Sequence, residues 1–460
     1  MISLLRAVSD ALDGRTDYYD VRVIHVTSTS LEMKKGDVSR AVAGKESGAC
    51  VRALCQGAWG FASTPDINKA SIGETAERAF RIAKGISEGA KEKAGMAPVE
   101  QVTDDVTVPM KKGFIDVPMV EKLALLKSTH DALKQYDFVT NDLITYRDTY
   151  TVEDFFSSEG TTLITRTPRV YWALELVGRK GDQVQSVRRR IGATAGLEAF
   201  DDDAALKQAD AGAASLVALL NGKSPPSGSL PVIADPDLTG VFAHEAVGHA
   251  SEADLVATGN SCFGGRMGEQ IGNDIVTIHD DATLPGAYGS LVYDDEGVRA
   301  ENKVLIRNGI LNDFILSRET AAKLGMTPNG GARADSYHNR PLVRMSNTYI
   351  EAGDQTLAEL LEGIELGVYA KGTRGGQVNT AQGFFQFNAQ ESYLIEHGEI
   401  TKPLRDVSLS GRTLDTLRLI DGVGRDQDLH GVGICGKGQW VPVGDGGPHI
   451  RIAKCVVGGR

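Results

Sequence analysis

The fold class of the first part of the chain is decided by residues 19–44, YDVRVIHVTSTSLEMKKGDVSRAVAG. Their apolar side chains recur at alternate positions, which predicts extended strands with one buried face. The KKGD segment at 34–37 has the composition of a tight hairpin turn, so the strands on either side of it are expected to be antiparallel. A further strand pattern covers residues 48–63, and KESG at 45–48 is interpreted as a second hairpin turn.

Helical periodicity surrounds these strands. An amphipathic helix is predicted at the start of the chain, and further helices at 70–87, 119–135 and 201–222, the last of them ending on Asn221-Gly222. A second series of strands is predicted between residues 138 and 192. The segment KSPPSGSLP at 223–231 is typical of a linker, so we predict an N-terminal α/β domain with an antiparallel sheet and helices over residues 1–225.

Beyond the linker, glycine becomes frequent and short apolar runs alternate with turns. Residues 295–317, 343–354 and 392–411 show this pattern. We therefore predict that residues 226–460 form a predominantly antiparallel β domain with few helices, which makes the whole chain α+β.

Composition limits the classes of function. The chain has 460 residues, a formal net charge of −12 and five cysteines without framework spacing. Acidic charge argues against a nucleic-acid or anionic-membrane surface, and no apolar run approaches the roughly 20 residues of a membrane helix. Reduced thiols and a cytoplasmic location are expected. A small molecule or a protein is the favoured partner.

The segment VFAHEAVGHA at 241–250 contains H-E-x-x-x-H, one residue longer than the zinc-peptidase motif H-E-x-x-H. In a regular helix, positions i and i+5 point about 140° apart, so two such histidines cannot reach one ion. A π-bulge or irregular turn at Gly248 would bring His249 to the face of His244. The helix is expected to start near Asp235, Asp237 or Thr239.

A catalytic zinc ion normally needs a third protein ligand. Cys435 lies among nine glycines in residues 422–447, which indicates a loop that approaches another group closely. The alternatives that the sequence leaves open are Glu252, Asp254, His279, His338 and His430.

Several segments of the second half resemble the TldD/PmbA family, on its TldD side. They are HEAVGH (244–249), DDEGVRA (294–300), GGARADSYHNRPLVRMSNTYIEAGD (330–354), GGQVNTAQGFFQFNAQESYLIEHGEIT (375–401) and CGKGQWVPVG (435–444). The resemblance covers nearly all of residues 229–460 in order and is looser in the N-terminal half.

The resemblance implies a zinc-dependent peptidase, with His244, His249 and Cys435 as zinc ligands and Glu245 as the catalytic glutamate. We expect short or unstructured peptides as substrates, because a cytoplasmic peptidase must not attack folded neighbours and an enclosed site would admit only flexible chains. The PmbA side of the family lacks the histidine motif, so retention of these residues favours the active branch. A homodimer, or a heterodimer with a PmbA-like subunit, is also implied.

Three residues in SYHNRPLVR (336–344) are candidates for substrate contact and oxyanion stabilisation: Tyr337, Arg340 and Arg344. Two other classes of function stay open. One is a noncatalytic metal-stabilised scaffold that regulates a partner, and the other is a hydrolase of a non-peptide amide.

Overall fold

The N-terminal part of the chain is built on one seven-stranded sheet. The structure is a computed structural model that describes residues 2–459, with side chains from residue 4 onward. The elements of this part, in chain order, are α1 (Ile2–Leu12), β1 (Tyr18–Lys34), β2 (Asp37–Cys55), β3 (Ala58–Thr64), α2 (Lys69–Ser87), β4 (Thr103–Thr107), α3 (Met119–Leu133), β5 (Val139–Ser157), β6 (Thr162–Lys180), β7 (Gln183–Ala193) and α4 (Ala204–Asn221).

The strand order of this sheet is β3-β2-β1-β5-β6-β4, with β7 also paired to β6. Every pairing is antiparallel except that of β4 with β6. The four helices cover one face: α1 and α2 pack on side chains such as Val21 and Val51, and α3 and α4 pack on Tyr146 and Trp172. The registers place all four of these side chains on the same face. The opposite face is left for the second part of the chain.

One predicted turn of this sheet is wrong. Residues 45–48 lie inside β2, where Lys45 pairs with Thr27 and Gly48 with Ile24. The predicted KKGD turn is confirmed at Lys35-Gly36, and the second turn lies at Gln56-Gly57; all four residues have positive φ. Gly48 is needed for space, because a Cβ there would lie 2.3 Å from the ring of Tyr337.

The second part of the chain contains five α-helices and fifteen strands among the described residues. They are β8 (Gly228–Ala234), α5 (Pro236–Phe242), α6 (Ala253–Ala257), β9 (Ile278–Asp281), β10 (Asn302–Arg307), β11 (Ile310–Leu311), α7 (Arg318–Leu324), β12 (Ala332–Arg333), β13 (Leu342–Val343), β14 (Asn347–Ile350), α8 (Leu357–Leu361), β15 (Leu366–Asn379), β16 (Phe384–Glu396), β17 (Glu399–Leu404), β18 (Ser408–Arg412), α9 (Thr413–Leu419), β19 (Ile420–Val423), β20 (Asp428–Gly436), β21 (Trp440–Gly447) and β22 (Ile450–Gly458).

Two large sheets organise these strands. One has the order β11-β10-β9-β14-β21-β20, and the other has the order β15-β8-β22-β18-β16-β17 with β19 paired to β22. The pairing of β15 with β16 closes five strands of the second sheet into a ring. Antiparallel pairs dominate, and the parallel pairs are β14 with β21 and β8 with β15. The predicted α+β class is confirmed.

Helix α5 lies within the main hydrophobic core of this part. It contacts β21 on one sheet and β15 on the other. Phe242, Ala246 and Val247, on α5 and the turn that follows it, are buried in a cluster that includes Val443 and Phe385 from the two sheets. A segment held on both sides in this way is a rigid support for functional side chains.

Buried ion pairs join the two parts of the chain. Arg52 on β2 binds Asp20 on β1 and, at 2.9 Å, Glu296 from the second part. Arg22 lies 3.4 Å from Asp295. All strands of the first sheet end by Ala193, and those of the other sheets begin at Gly228. The domain boundary near residue 225 stays a prediction.

Among the described helices, none is long and apolar enough to cross a membrane.

Candidate metal centre

The helix that carries both motif histidines starts at a well-formed cap. Asp235 has extended backbone angles, and its side chain accepts a hydrogen bond of 2.9 Å from the backbone N–H of Leu238. Pro236 follows at the first helical position, where no N–H is needed. Of the three predicted cap residues, Asp235 therefore starts the helix.

The regular helix ends at Phe242 and continues as a π-helical turn over Ala243–Gly248. A short 3₁₀ turn, His249–Ser251, completes the segment. The wider π turn accommodates the additional residue of the motif. As a result, the ring centroids of His244 and His249 lie 5.2 Å apart, and the angle between the two ring planes is 83°. The predicted irregular turn at Gly248 is confirmed.

Gly248 is required by packing and not by backbone angle. Its φ of −56° is ordinary for a helix. A Cβ at this position would lie 2.1 Å from Sδ of Met345 and 3.3 Å from Oγ1 of Thr348. The glycine lets the π turn lie directly against the segment that leads into β14.

Cys435 lies on β20 and not in a loop, which corrects the expectation from its glycine-rich surroundings. It pairs with Val441 in the β20–β21 hairpin. Its Sγ lies 3.3 Å from Nε2 of His249. The candidate ligand atoms of His244, His249 and Cys435 all lie within 4.8 Å of one another, and the three residues are buried.

This donor set fits zinc. A tetrahedral zinc ion with bonds of about 2.0–2.3 Å keeps its ligand atoms about 3.5 Å apart, close to the observed separation of Cys435 and His249. Nδ1 of His244 is buried without a hydrogen-bond partner, a costly state for a polar atom. Two imidazoles, a thiolate and an open fourth position are typical of a catalytic zinc site.

Glu252 supports His249 and is not the third member of the cluster. Its Oε2 accepts a hydrogen bond of 2.9 Å from Nδ1 of His249, which leaves Nε2 directed towards Cys435. Lys437 lies 3.2 Å from the same carboxylate and 2.9 Å from Asp254. These two acids, considered as possible ligands from sequence, are thus engaged with His249 and Lys437.

The charges of the cluster favour an ionised thiol. Burial raises the pKa of Cys435, but the two neighbouring imidazoles more than offset this effect and bring the pKa to about 5. Burial lowers the pKa of His249, whereas Glu252 and Cys435 raise it well above its usual value. Cys435 is therefore a thiolate at neutral pH, the form that binds metal.

Glu245 lies beside the cluster with its carboxylate partly exposed. Its Oε2 is 3.8 Å from Nε2 of His249. Together with His244, His249 and Cys435 it lines a cavity of about 1210 Å³ between the two parts of the chain. Trp440, which is 68% exposed, lines the same cavity. A substrate in this cavity would meet Glu245 without passing through the core.

The three residues considered for substrate contact do not line this cavity. Arg344 is buried and donates hydrogen bonds of 2.7 and 2.8 Å to the carbonyls of Cys435 and Gln439, so it holds the β20–β21 hairpin. Tyr337 packs on Gly48, and Arg340 is exposed elsewhere. Substrate contact by these three residues stays a prediction without support from their positions.

The other histidines considered as ligands are distant from the cluster. His279 stacks on Tyr349 and bonds to Asn302, while His338 and His430 lie on the surface. Sequence reasoning missed the positions of Glu252 and Lys437 around His249. The only available signal was the three-residue spacing of His249 and Glu252, which places two side chains on one face of a helical turn.

Sequence profiles of one family match almost the whole chain. The profile described as the PmbA/TldA metallopeptidase C-terminal domain matches residues 227–459, domain 1 of the same family matches 19–83, and its central domain matches 112–220. The chain belongs to the TldD/PmbA family. The resemblance noted from the sequence is confirmed.

The chain is also similar to individual proteins over almost its whole length. A metalloprotease of Methanothermobacter thermautotrophicus is 42% identical over 97% of both chains. A zinc metalloprotease TldD homologue of Saccharolobus solfataricus is 32% identical over 99% of this chain and 100% of its own. The crystal structure of TldE from Thermococcus kodakarensis has a TM-score of 0.81 at 18% identity, over 99% of this chain and all of that one, and shows the same fold. This family member is accordingly related to metallopeptidases.

Proposed function

We propose that this protein is a zinc-dependent peptidase that hydrolyses short or unstructured peptides. The observation that carries the proposal is the convergence of His244, His249 and Cys435, with Glu245 beside them in an accessible cavity. When bound, zinc supplies a Lewis acid for the scissile carbonyl and lowers the pKa of its water towards about 7.

The remaining chemistry belongs to the residues of the chain. Glu245 does not coordinate the metal. It takes the proton of the attacking water and then delivers it to the leaving amine. Glu252 fixes the tautomer of His249 by accepting from Nδ1. The guanidinium of Arg344 fixes the backbone of Cys435.

The shape of the cavity supports a peptide as substrate. A cavity of about 1210 Å³ is larger than most small-ligand sites, and it is bounded by sheets from both parts of the chain. An extended peptide can lie along such a cleft, whereas a folded protein is too bulky to bring a peptide bond to Glu245. Preference for unstructured peptides follows.

The experiment that tests the proposal compares the wild type with Glu245→Gln. The variant keeps the size of the side chain and the three proposed ligands but loses the general base, so zinc content should stay unchanged while peptide cleavage falls by about 10²-fold or more. Zinc is measured by elemental analysis, and cleavage of an unstructured peptide mixture by mass spectrometry.

The same comparison tests the two other classes of function. A noncatalytic scaffold predicts that neither protein cleaves peptides. A hydrolase of non-peptide amides predicts that both leave peptides intact while only the wild type hydrolyses a small amide. Equal peptide cleavage by both proteins would instead remove Glu245 from the mechanism.

A further inference from the structure

The wall of the cavity opposite the metal centre carries a group of arginines. They lie on the face of the N-terminal sheet away from the helices and line the same cavity as Glu245: Arg147 on β5, Arg169 on β6, and Arg188 and Arg190 on β7. The strand register explains their shared face, because alternate residues of one strand and directly paired residues of neighbouring strands lie on the same face. Thr149, two residues from Arg147, pairs with Arg169. Ala173, four residues from Arg169, pairs with Arg190.

Three of these arginines have no acidic partner. Within residues 2–459, no carboxylate oxygen lies within 4.0 Å of the guanidinium of Arg147, Arg169 or Arg190. Arg169 donates to the carbonyls of Tyr288 and Ser290, and Arg190 donates to the carbonyl of Val432. These bonds orient the two guanidinium groups and leave other N–H groups of each available.

None of the acids that line the cavity forms an ion pair with Arg147, Arg169 or Arg190. The acid among them whose pKa responds to Arg190 is Asp445: burial raises this pKa to about 7, and the charge of Arg190 offsets part of the rise. Glu175 lies 3.3 Å from Arg188, and Asp148 is bonded to Lys122 behind the sheet. Asp335 accepts hydrogen bonds from Asn339 and Trp440. The three arginines without an ion-pair partner form a local region of positive charge on this wall, in a chain whose formal net charge is −12.

We propose that Arg147, Arg169 and Arg190 bind a carboxylate of the peptide substrate while the peptide lies between this wall and the metal centre. The carboxylate is either an acidic side chain or the C-terminus of the peptide. The planar guanidinium matches a carboxylate in two parallel hydrogen bonds, and partial enclosure by the cavity strengthens the attraction. The inference rests on the proposed peptidase function for the statement that the ligand is a peptide.

The test measures binding apart from catalysis. Fluorescein-labelled, unstructured Gly/Ser peptides that contain glutamates are compared with otherwise identical peptides that contain glutamines, each with a free and an amidated C-terminus. Affinities for Glu245→Gln protein are measured by fluorescence anisotropy. Glutamate peptides, or free C-termini, should bind about tenfold more tightly than their neutral counterparts, and high salt should remove the difference.

Arg147→Gln is the main variant, because the side chain of Arg147 makes no hydrogen bond or ion pair with the described residues and its loss should leave folding intact. Introduced into the Glu245→Gln protein, it should weaken binding of the carboxylate peptides about tenfold and leave the neutral peptides unchanged. Arg81→Gln, an exposed position on α2 outside the cavity, is the control with the same change of charge.

The four peptides separate the two sources of the carboxylate. A preference that follows glutamate content supports recognition of acidic side chains, and one that follows the free C-terminus supports recognition of the chain end. Equal affinity for all four peptides, or equal effects of Arg147→Gln and Arg81→Gln, overturns the inference. If the binding preference holds but the zinc-loaded wild type cleaves none of the peptides, the peptidase proposal fails and the binding site stands.

Discussion

His249 is held at both of its ring nitrogens. Nδ1 donates to the fully buried Glu252, and Nε2 faces the thiolate of Cys435 at 3.3 Å. Lys437 and Arg344 surround Glu252 with positive charge at 3.2 and 3.6 Å. The chemistry at this residue therefore depends on a chain of buried groups that extends behind the candidate ligands.

Replacement of Cys435 by serine should remove most of the bound zinc. A neutral hydroxyl is a poor substitute for a thiolate, so zinc occupancy after dialysis should fall by about tenfold or more. Elemental analysis measures the change, and Cys262→Ser, at a partly exposed cysteine outside the cluster, serves as the control. Full zinc occupancy in Cys435→Ser would mean that another residue completes the site.

Replacement of Glu252 by glutamine should weaken zinc binding without removing a ligand. The neutral amide accepts a weaker hydrogen bond from His249, leaves Arg344 without its buried counter-charge and leaves Lys437 with Asp254 alone, so the affinity for zinc should drop about 10–100-fold. Competition with a chromogenic chelator measures this affinity. An unchanged affinity would show that Glu252 has no part in orienting His249.

At this scale the sequence predicted the three residues of the candidate cluster but not their surroundings. His244, Glu245 and His249 were found because a motif gives both spacing and chemistry. Cys435 was found through its unusual glycine-rich neighbourhood and the family resemblance. The arginines of the cavity wall were missed, because four residues on three strands share a face only once the register of those strands is known.

The π turn is the element on which the site depends. An additional residue in the motif would separate the histidines in a regular helix, and the wide turn over Ala243–Gly248 brings their rings together. The turn is held between two sheets, and Gly248 allows contact with Met345. Its shape is thus fixed by packing on either side and not by local preference alone.

Replacement of Gly248 by alanine should distort this turn. The new Cβ would overlap Met345, so we expect a loss of about 1–3 kcal/mol in the free energy of unfolding together with reduced zinc content. Urea unfolding and elemental analysis measure the two effects, and Met345→Ala in the same protein should restore part of both.

The control for this substitution is Gly85→Ala. Gly85 lies in α2, and no atom lies within 4 Å of the position that an added methyl group would take, so alanine there should stabilise the protein by about 0.4–1 kcal/mol. Equal effects of the two substitutions would show that contact with Met345 does not constrain the π turn.

Helix positions were predicted better than turns. The patterns at 70–87, 119–135 and 201–222 correspond to α2, α3 and α4, because helical periodicity is a local property of the sequence. The glycine of KESG and the glycines beside Cys435 suggested a turn and a loop, yet both lie in strands. Glycine in a strand marks close approach of another group, here Tyr337 near Gly48, and no local pattern reveals a contact between residues so far apart in the sequence.

On the scale of the whole molecule, the site lies between the N-terminal sheet and the second part of the chain. One side of the cavity supplies arginines, and the other supplies the metal cluster and Glu245. Neither part encloses a substrate alone. The cavity is accessible from the surface at the exposed Trp440.

We predict that the working form is a homodimer or a heterodimer with a PmbA-like subunit. The site enclosed by this dimer should admit only flexible peptide chains. Light scattering should give the mass of a dimer. A protein that is cleaved when denatured should resist cleavage when folded, since an enclosed site excludes folded substrates. An active monomer, or equal cleavage of both forms, would contradict this arrangement, and a chelator should abolish all cleavage.

The ion pairs between Arg52, Asp20 and Glu296 restrict recombination between the two halves of the gene. Arg52 and Glu296 are 244 positions apart, yet Glu296 would lose its buried ion-pair partner without Arg52, at a cost of about 3–5 kcal/mol, whereas Arg52 would keep Asp20. A recombination event at the linker that exchanged only the N-terminal portion for that of a divergent relative would separate these partners. The two halves of the coding sequence are therefore expected to be inherited together, and surviving hybrids to carry compensating changes on both sides of the crossover.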